Sequence, residues 1–311
     1  MRATNNNRLF FICLCLCMVL PLAVTHAQQG SQFTQYMFNP IVINPAYAGA
    51  DEALKLTLLN RSQWVSVDGA PVTQGLYANG LFQRQRVGLG LSFVNDKIGI
   101  HKNQDLRGMA AYHLPVSRTA TLSFGMQAGL SIVRSNYSSL NISNTNLDPQ
   151  LAGSDVSSTS LMIGMGAYYR SKRFHLGLSM PSVLPQTAAL NDSISIKWKR
   201  INYLLYAKYD FVLGDNMRLE PSILLKYYPG APISFDINTC LVIRDALSLG
   251  LAYRKKESID FLLRAQLTKQ LQFGYSYDHV IGEVVNASRG THEISVSYLF
   301  KFSHDNVDSP R

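Results

Sequence analysis

The charged side chains with regular spacing fall on alternate residues of short segments. Lys208 and Asp210, Arg218 and Glu220, Lys226, Asp236, Asp260 and Arg264, Asp278, and Glu293 and Lys301 follow this pattern. Alternate spacing puts the members of one segment on one face of a strand. Both signs occur, so neighbouring strands can pair opposite charges across a narrow interior. A selective channel would more often show one dominant sign. These residues predict an interior closed by side chains or by another part of the chain.

Catalytic patterns are missing. The sequence has no Gly-x-Ser-x-Gly elbow, His-Glu-x-x-His pair, Walker loop or Gly-x-Gly-x-x-Gly turn. His292-Glu293 goes no further than two residues, and His101, His113, His175, His279, His292 and His304 are scattered singly. A membrane-embedded hydrolase would need Ser, His and an orienting group brought together from such scattered positions. Asn144, Asn146 and Asp148 alternate as in a calcium loop, but no glycine or closing glutamate follows at the required spacing. A solvated loop accounts for them. Cys240 shares the parity of the polar residues in its segment and suits a small filler. The expectation is a protein with no catalytic residues, no cofactor and no metal.

The elements that position these charges are written in period two. Ile294, Val296, Tyr298, Phe300 and Phe302 are apolar, while Glu293, Ser295, Ser297 and Lys301 between them are polar. Met217, Leu219, Ile223, Leu225 and Tyr227 alternate in the same way with Arg218, Glu220, Ser222 and Lys226. A sheet with one greasy and one wet face, behind an export signal, predicts a transmembrane antiparallel β-barrel of the outer membrane. Fourteen strands are expected, at 53–65, 72–83, 86–95, 104–114, 119–133, 159–170, 173–180, 200–212, 217–228, 232–244, 246–254, 257–267, 270–279 and 291–302. Every even-numbered connection is short and polar. The longest, near 134–158, 181–199 and 280–290, are odd-numbered, matching short periplasmic turns and long outer loops. Tyr168, Tyr169, Tyr203, Tyr209, Tyr227, Tyr228, Tyr253, Tyr277, Tyr298 and Phe302 are expected to form an interfacial girdle.

Residues 1–27 have the form of a secretory signal: Arg2 and Arg8, an apolar run from Leu9 to Val24, and Ala27 before the expected cut. Three of the four cysteines lie inside it, so the mature chain keeps only Cys240 and no internal disulfide. Losing Arg2 and Arg8 takes Lys+Arg from 29 to 27 against 20 acidic residues, a mature net charge of +7. The basic residues form no continuous stripe, which argues against nucleic acid. The expected organisation is a signal at 1–27, an N-terminal segment at 28–51, a barrel at 52–303 and a tail at 304–311.

The N-terminal segment contains Gln32-Phe-Thr-Gln-Tyr-Met-Phe-Asn-Pro40 and Asn44-Pro45-Ala-Tyr-Ala-Gly49. Each Asn-Pro pair breaks strand and helix alike. Phe33, Tyr36, Phe38 and Tyr47 would anchor the segment, either as a plug against its own barrel or against a partner beneath it. This segment closely resembles the opening of the PorP/SprF family, outer-membrane proteins associated with type IX secretion in Bacteroidetes. The likeness continues through Arg61-Ser-Gln-Trp64, Asp68-Gly-Ala-Pro71-Val-Thr73, Gly88-Leu-Gly-Leu-Ser-Phe-Val-Asn-Asp96-Lys-Ile-Gly99, Ala111-Tyr-His-Leu-Pro115, Gly274-Tyr-Ser-Tyr-Asp278 and His292-Glu293-Ile294. Gly30-Ser31 departs from the Asp-Pro common at that place.

The resemblance implies a non-enzymatic accessory barrel that helps export or anchor one large adhesin-like substrate through its C-terminal sorting domain. It also implies contacts with periplasmic components of the secretion and gliding apparatus. Phe33, Tyr36, Phe38, Asn39, Pro40, Asn44, Pro45 and Tyr47 are the partner-binding candidates. A passive porin for small solutes is the alternative, and an open lumen would favour it.

Overall fold

The computed structural model describes residues 31–51, 53–82, 86–139, 155–184, 201–282 and 285–300. The expected signal, the tail, Asn144, Asn146, Asp148 and much of the long connections lie outside them. The wall begins with β1 (Leu54–Ser62), β2 (Val72–Phe82), β3 (Val87–Ile98), β4 (His101–Ser117) and β5 (Ala120–Ser135). It continues with β6 (Val156–Arg170), β7 (Phe174–Met180), β8 (Tyr203–Tyr209), β9 (Phe211–Val212) and β10 (Met217–Tyr227). It ends with β11 (Ser234–Ile243), β12 (Leu247–Arg254), β13 (Ser258–Gln266), β14 (Leu271–Val280) and β15 (Thr291–Phe300).

β8 and β9 both pair with β10 and form one wall strand interrupted at Asp210. The register with β10 is the same on both sides of this gap, which lies beside Pro221 of β10, a residue with no N–H to give; the Asp210 N–H donates to the Arg173 carbonyl at 2.7 Å in line with the β7 pairing. The wall therefore has fourteen strands. Each pairs antiparallel with its neighbours, and β15 closes on β1 from Leu54↔Phe300 to Ser62↔His292. Closure removes every sheet edge, which a lipid bilayer demands because it offers backbone groups no partner. β4 and β5 outrun their predicted spans. Their register shifts between Pro115 and Ser117, where proline has no N–H to give the ladder.

Alternation assigns the two faces. Along β1, Leu54 and Leu58 face out while Lys55, Thr57, Leu59 and Arg61 are buried inside. All the Asp and Glu side chains on the described strands point inward. The long connections gather at one end, the outer one, and the short turns at the other, the periplasmic one. Of the expected girdle, Phe302 lies outside the described residues, and two others need correcting. Tyr168 is 2% exposed and points into the lumen, and Tyr228 packs against an internal cluster. Both meet aromatic or aliphatic side chains inside the barrel, which the sequence assigned to lipid.

Leu251 and Phe261 pair in register at mid-wall, each 53% exposed on the outer face. Leu251→Arg should cost about 2–4 kcal/mol of stability in a bilayer, as a cation at the hydrocarbon midplane does. Urea unfolding in phospholipid vesicles would measure it; an unchanged midpoint would remove Leu251 from the lipid face.

Candidate functional site

Residues 31–51 run inside the barrel. Of the two arrangements open from sequence, this is the plug. The chain starts in the outer half of the lumen, crosses it, and leaves at the periplasmic mouth to enter β1. Two 3-10 turns, Pro40–Val42 and Pro45–Tyr47, give it shape, each opened by a proline whose missing N–H costs nothing there. Asn44 caps the second: its Oδ1 accepts from Ala46 N at 2.9 Å. Its Nδ2 donates to the Ala167 and Leu178 carbonyls of β6 and β7 at 2.9 and 3.3 Å. One side chain thus shapes the turn and ties it to the wall.

The outer half of the segment is held by charge. Glu293 of β15, 0% exposed, accepts the Thr34 N–H at 2.8 Å and the Gln35 N–H at 2.9 Å. Arg61 of β1 lies 2.8 Å from Asp278 and 3.3 Å from Glu293, and donates to Thr34 Oγ1 at 2.6 Å. Thr34 Oγ1 donates in turn to Asp278 at 2.7 Å. Lys226 pairs with Asp236 at 2.8 Å and reaches Gln32 Oε1 at 3.2 Å. Arg254 stands between Asp236 and Asp260, at 3.7 and 3.8 Å. Hydrogen bonds with an ionised partner are the strong class, and this shell supplies them where the segment has no secondary structure of its own.

The periplasmic half is held by shape. A methyl group on Gly88 would overlap the Ala48 carbonyl, and one on Gly125 would overlap the Pro45–Ala46 backbone. These glycines let the segment lie against the wall. His113 of β4 bridges the two: Nε2 lies 2.8 Å from the Ala48 carbonyl and Nδ1 2.7 Å from Ser123 Oγ. A carbonyl only accepts, so Nε2 donates. Arg170 donates to the Ala50 carbonyl where the segment leaves. The Tyr47 phenol donates to Asp51 at 2.8 Å.

The eight candidate side chains face the protein's own wall. Phe33 meets Tyr77, Tyr36 meets Tyr206 and Tyr47 meets Tyr168, edge to face at 6.2, 6.0 and 5.3 Å. Phe38 lies 4.5 Å under the Arg264 guanidinium. Asn39, Pro40, Asn44 and Pro45 are buried. A cavity of about 10 Å³ beside Gln35, Phe38 and Asn39 has room for about one water. Sequence reasoning missed Thr34, Gln35, Arg61, Tyr77 and Tyr206. For Arg61, Tyr77 and Tyr206 the signal was a charged or aromatic residue on the lumen parity opposite a segment rich in anchors; Thr34 and Gln35 lie in that segment among its aromatic residues and carried no signal of their own. The charges picked from spacing, Lys226, Asp236, Asp260, Asp278 and Glu293, do converge. Lys208, Asp210, Arg218 and Glu220 form a separate network nearer the periplasmic mouth.

Over residues 25–298 the chain matches the family described as "Type IX secretion system membrane protein PorP/SprF". No curated protein matches it. Among solved structures it is similar to the Acinetobacter baumannii outer membrane protein Omp33, at 9% identity and TM-score 0.49, covering 80% of this chain and 98% of that one. It is also similar to the CymD monoaromatic hydrocarbon channel, at 13% identity and TM-score 0.49, covering 85% and 92%.

Glu293→Ala should destabilise the barrel by about 3–5 kcal/mol, since it leaves Arg61 with one buried partner fewer and two amides bare. Glu293→Gln should cost less. Urea midpoints in detergent micelles compare them, and equal effects would mean that the lost charge accounts for the whole effect and the acceptor that Gln keeps for none of it. Gly125→Val should lift the segment off β5. An Ala46→Cys probe, shielded in the parent, would then react with a maleimide. Continued shielding would mean the wall yields instead.

Proposed function

Because the chain belongs to the PorP/SprF family of type IX secretion system membrane proteins, we propose that it is an accessory barrel that works through its two rims. In this reading it helps export or hold at the surface a large adhesin-like substrate carrying a C-terminal sorting domain. It carries out no catalysis. The outer loops meet the substrate, and the short turns with the mouth around Ala50 meet periplasmic components of the apparatus.

One observation carries this choice over a passive porin: residues 31–51 cross the lumen, bound to it at both ends. A wall lined with both signs of charge, already paired with one another and with the segment, offers no continuous field for ions. The partner-binding role expected of Phe33, Tyr36, Phe38 and Tyr47 then becomes indirect. They hold the segment, and the segment sets the shape of the periplasmic mouth.

Deleting the gene should remove a small set of large proteins from the cell surface while leaving other outer-membrane proteins in place. Quantitative surface proteomics checks this, and an unchanged surface proteome would end the proposal. In planar bilayers the purified protein should show no large steady conductance. Sustained ohmic conductance would restore the porin reading.

A further inference from the structure

The outward face of the described strands carries Lys, Arg, Asp or Glu at three positions: Lys97 on β3, Lys102 on β4 and Arg134 on β5. These are adjacent. Lys97 opposes Lys102 in register, and Lys102 opposes Arg134. Neighbouring strands are about 4.8 Å apart, so the three charges lie within roughly 10 Å of wall. All three are exposed at the outer rim. Among the described residues no carboxylate forms an ion pair with them. Like charges placed directly opposite each other destabilise a sheet, so an isolated barrel gains nothing from this row.

A second row lies two residues deeper. The Asn and Gln side chains on the outward face of the described strands are Asn60, Gln74, Asn95 and Gln104. They too are consecutive: Asn60 opposes Gln74, Gln74 opposes Asn95, and Asn95 opposes Gln104. Asn95 donates to Gln74 at 3.4 Å, which leaves most of this amide capacity facing the membrane. Amides turned toward hydrocarbon are costly without partners.

A third feature lies below. An apolar groove of about 350 Å³ runs down from Asn60 and Gln74 between Leu58, Leu76, Phe93, Ile294 and Val296. Read from the rim inward, the wall offers cations, then amides, then an apolar track. An amphiphile of the outer leaflet presents the complementary series: phosphate, then acyl-linkage carbonyls, then alkyl chain.

We infer that the outer face of β15 and β1 to β5 is a built site for a phosphate-bearing outer-leaflet lipid. Its phosphates lie on Lys97, Lys102 and Arg134, its acyl-linkage carbonyls on the amide row, and one chain in the groove. The site stands apart from the lumen and does not depend on the secretion role proposed above.

The test uses the full-length barrel extracted in mild detergent and placed in phosphatidylcholine nanodiscs containing bisphosphorylated lipid A, with native mass spectrometry reading retained lipid. Parent protein should retain lipid A over phosphatidylcholine. K97A/K102A/R134A should weaken retention on the order of a hundredfold, each cation near an anionic surface contributing about fivefold. K97R/K102R should keep it, as should K256A at another exposed lysine of the outer end. Heat-modifiable migration in gels confirms that each variant is folded. Inorganic phosphate in excess should not displace the lipid, because the groove holds its chain. Equal retention by the triple variant, equal retention of phosphatidylcholine, or displacement by phosphate would each overturn the inference. So would a photo-crosslinker at position 74 that captures a protein, not lipid, in native membranes.

Discussion

A buried carboxylate whose charge is met by the backbone of another segment and by one arginine organises this barrel. Glu293 faces the lumen with no solvent contact and takes two amides of the N-terminal segment, with Arg61 beside it. Polar groups withdrawn from water must find partners, and the short turns of the segment leave N–H and C=O groups at both its ends unpaired within it. The lumen answers with charged and hydroxylated side chains, and the segment answers with its backbone. Each would be unfavourable alone.

The same logic explains why the interior is mixed in sign. A wall that must hold a polar backbone needs acceptors for amides and donors for carbonyls. Asp278 and Glu293 serve the first end of the segment, and His113 and Arg170 the second. A conducting pore would spend its lumen residues on water and ions. Here they are spent on protein, and the function proposed above accordingly rests on the rims. That division of labour fits a secretion-associated family.

The wall was legible in the sequence because lipid imposes a rule on every second residue. Ile294, Val296 and Phe300 could be assigned to the outer face, and Glu293 to the inner, by counting alone. The gap at Asp210 was not read from the sequence, although Pro221 on the facing strand, with no N–H to give, lies beside it. Tyr168 and Tyr228 misled for a related reason. An aromatic ring is equally at home in a membrane interface and against Tyr47 or an internal cluster, and parity near strand ends is weak. The Asn-Pro pairs announced a shaped, non-strand segment, and the structure gives each proline its turn. Where that segment sits was not legible. It is fixed by contacts more than two hundred residues away, such as Thr34 with Glu293 at a separation of 259, and no local pattern carries them.

The path of residues 31–51 also constrains how the molecule can be made. The earlier end of the segment sits toward the cell surface, and the later end passes the opposite opening, so the chain doubles back on itself before the first strand begins. β1 and β15, the first and last strands, form the seam, and both contribute to the cluster around Thr34. A ring that had already shut would have to admit a bulky, proline-bent peptide through a space its own side chains fill. The peptide and the seam share one cluster of contacts, so whatever loosens the closing pair also loosens the peptide it holds.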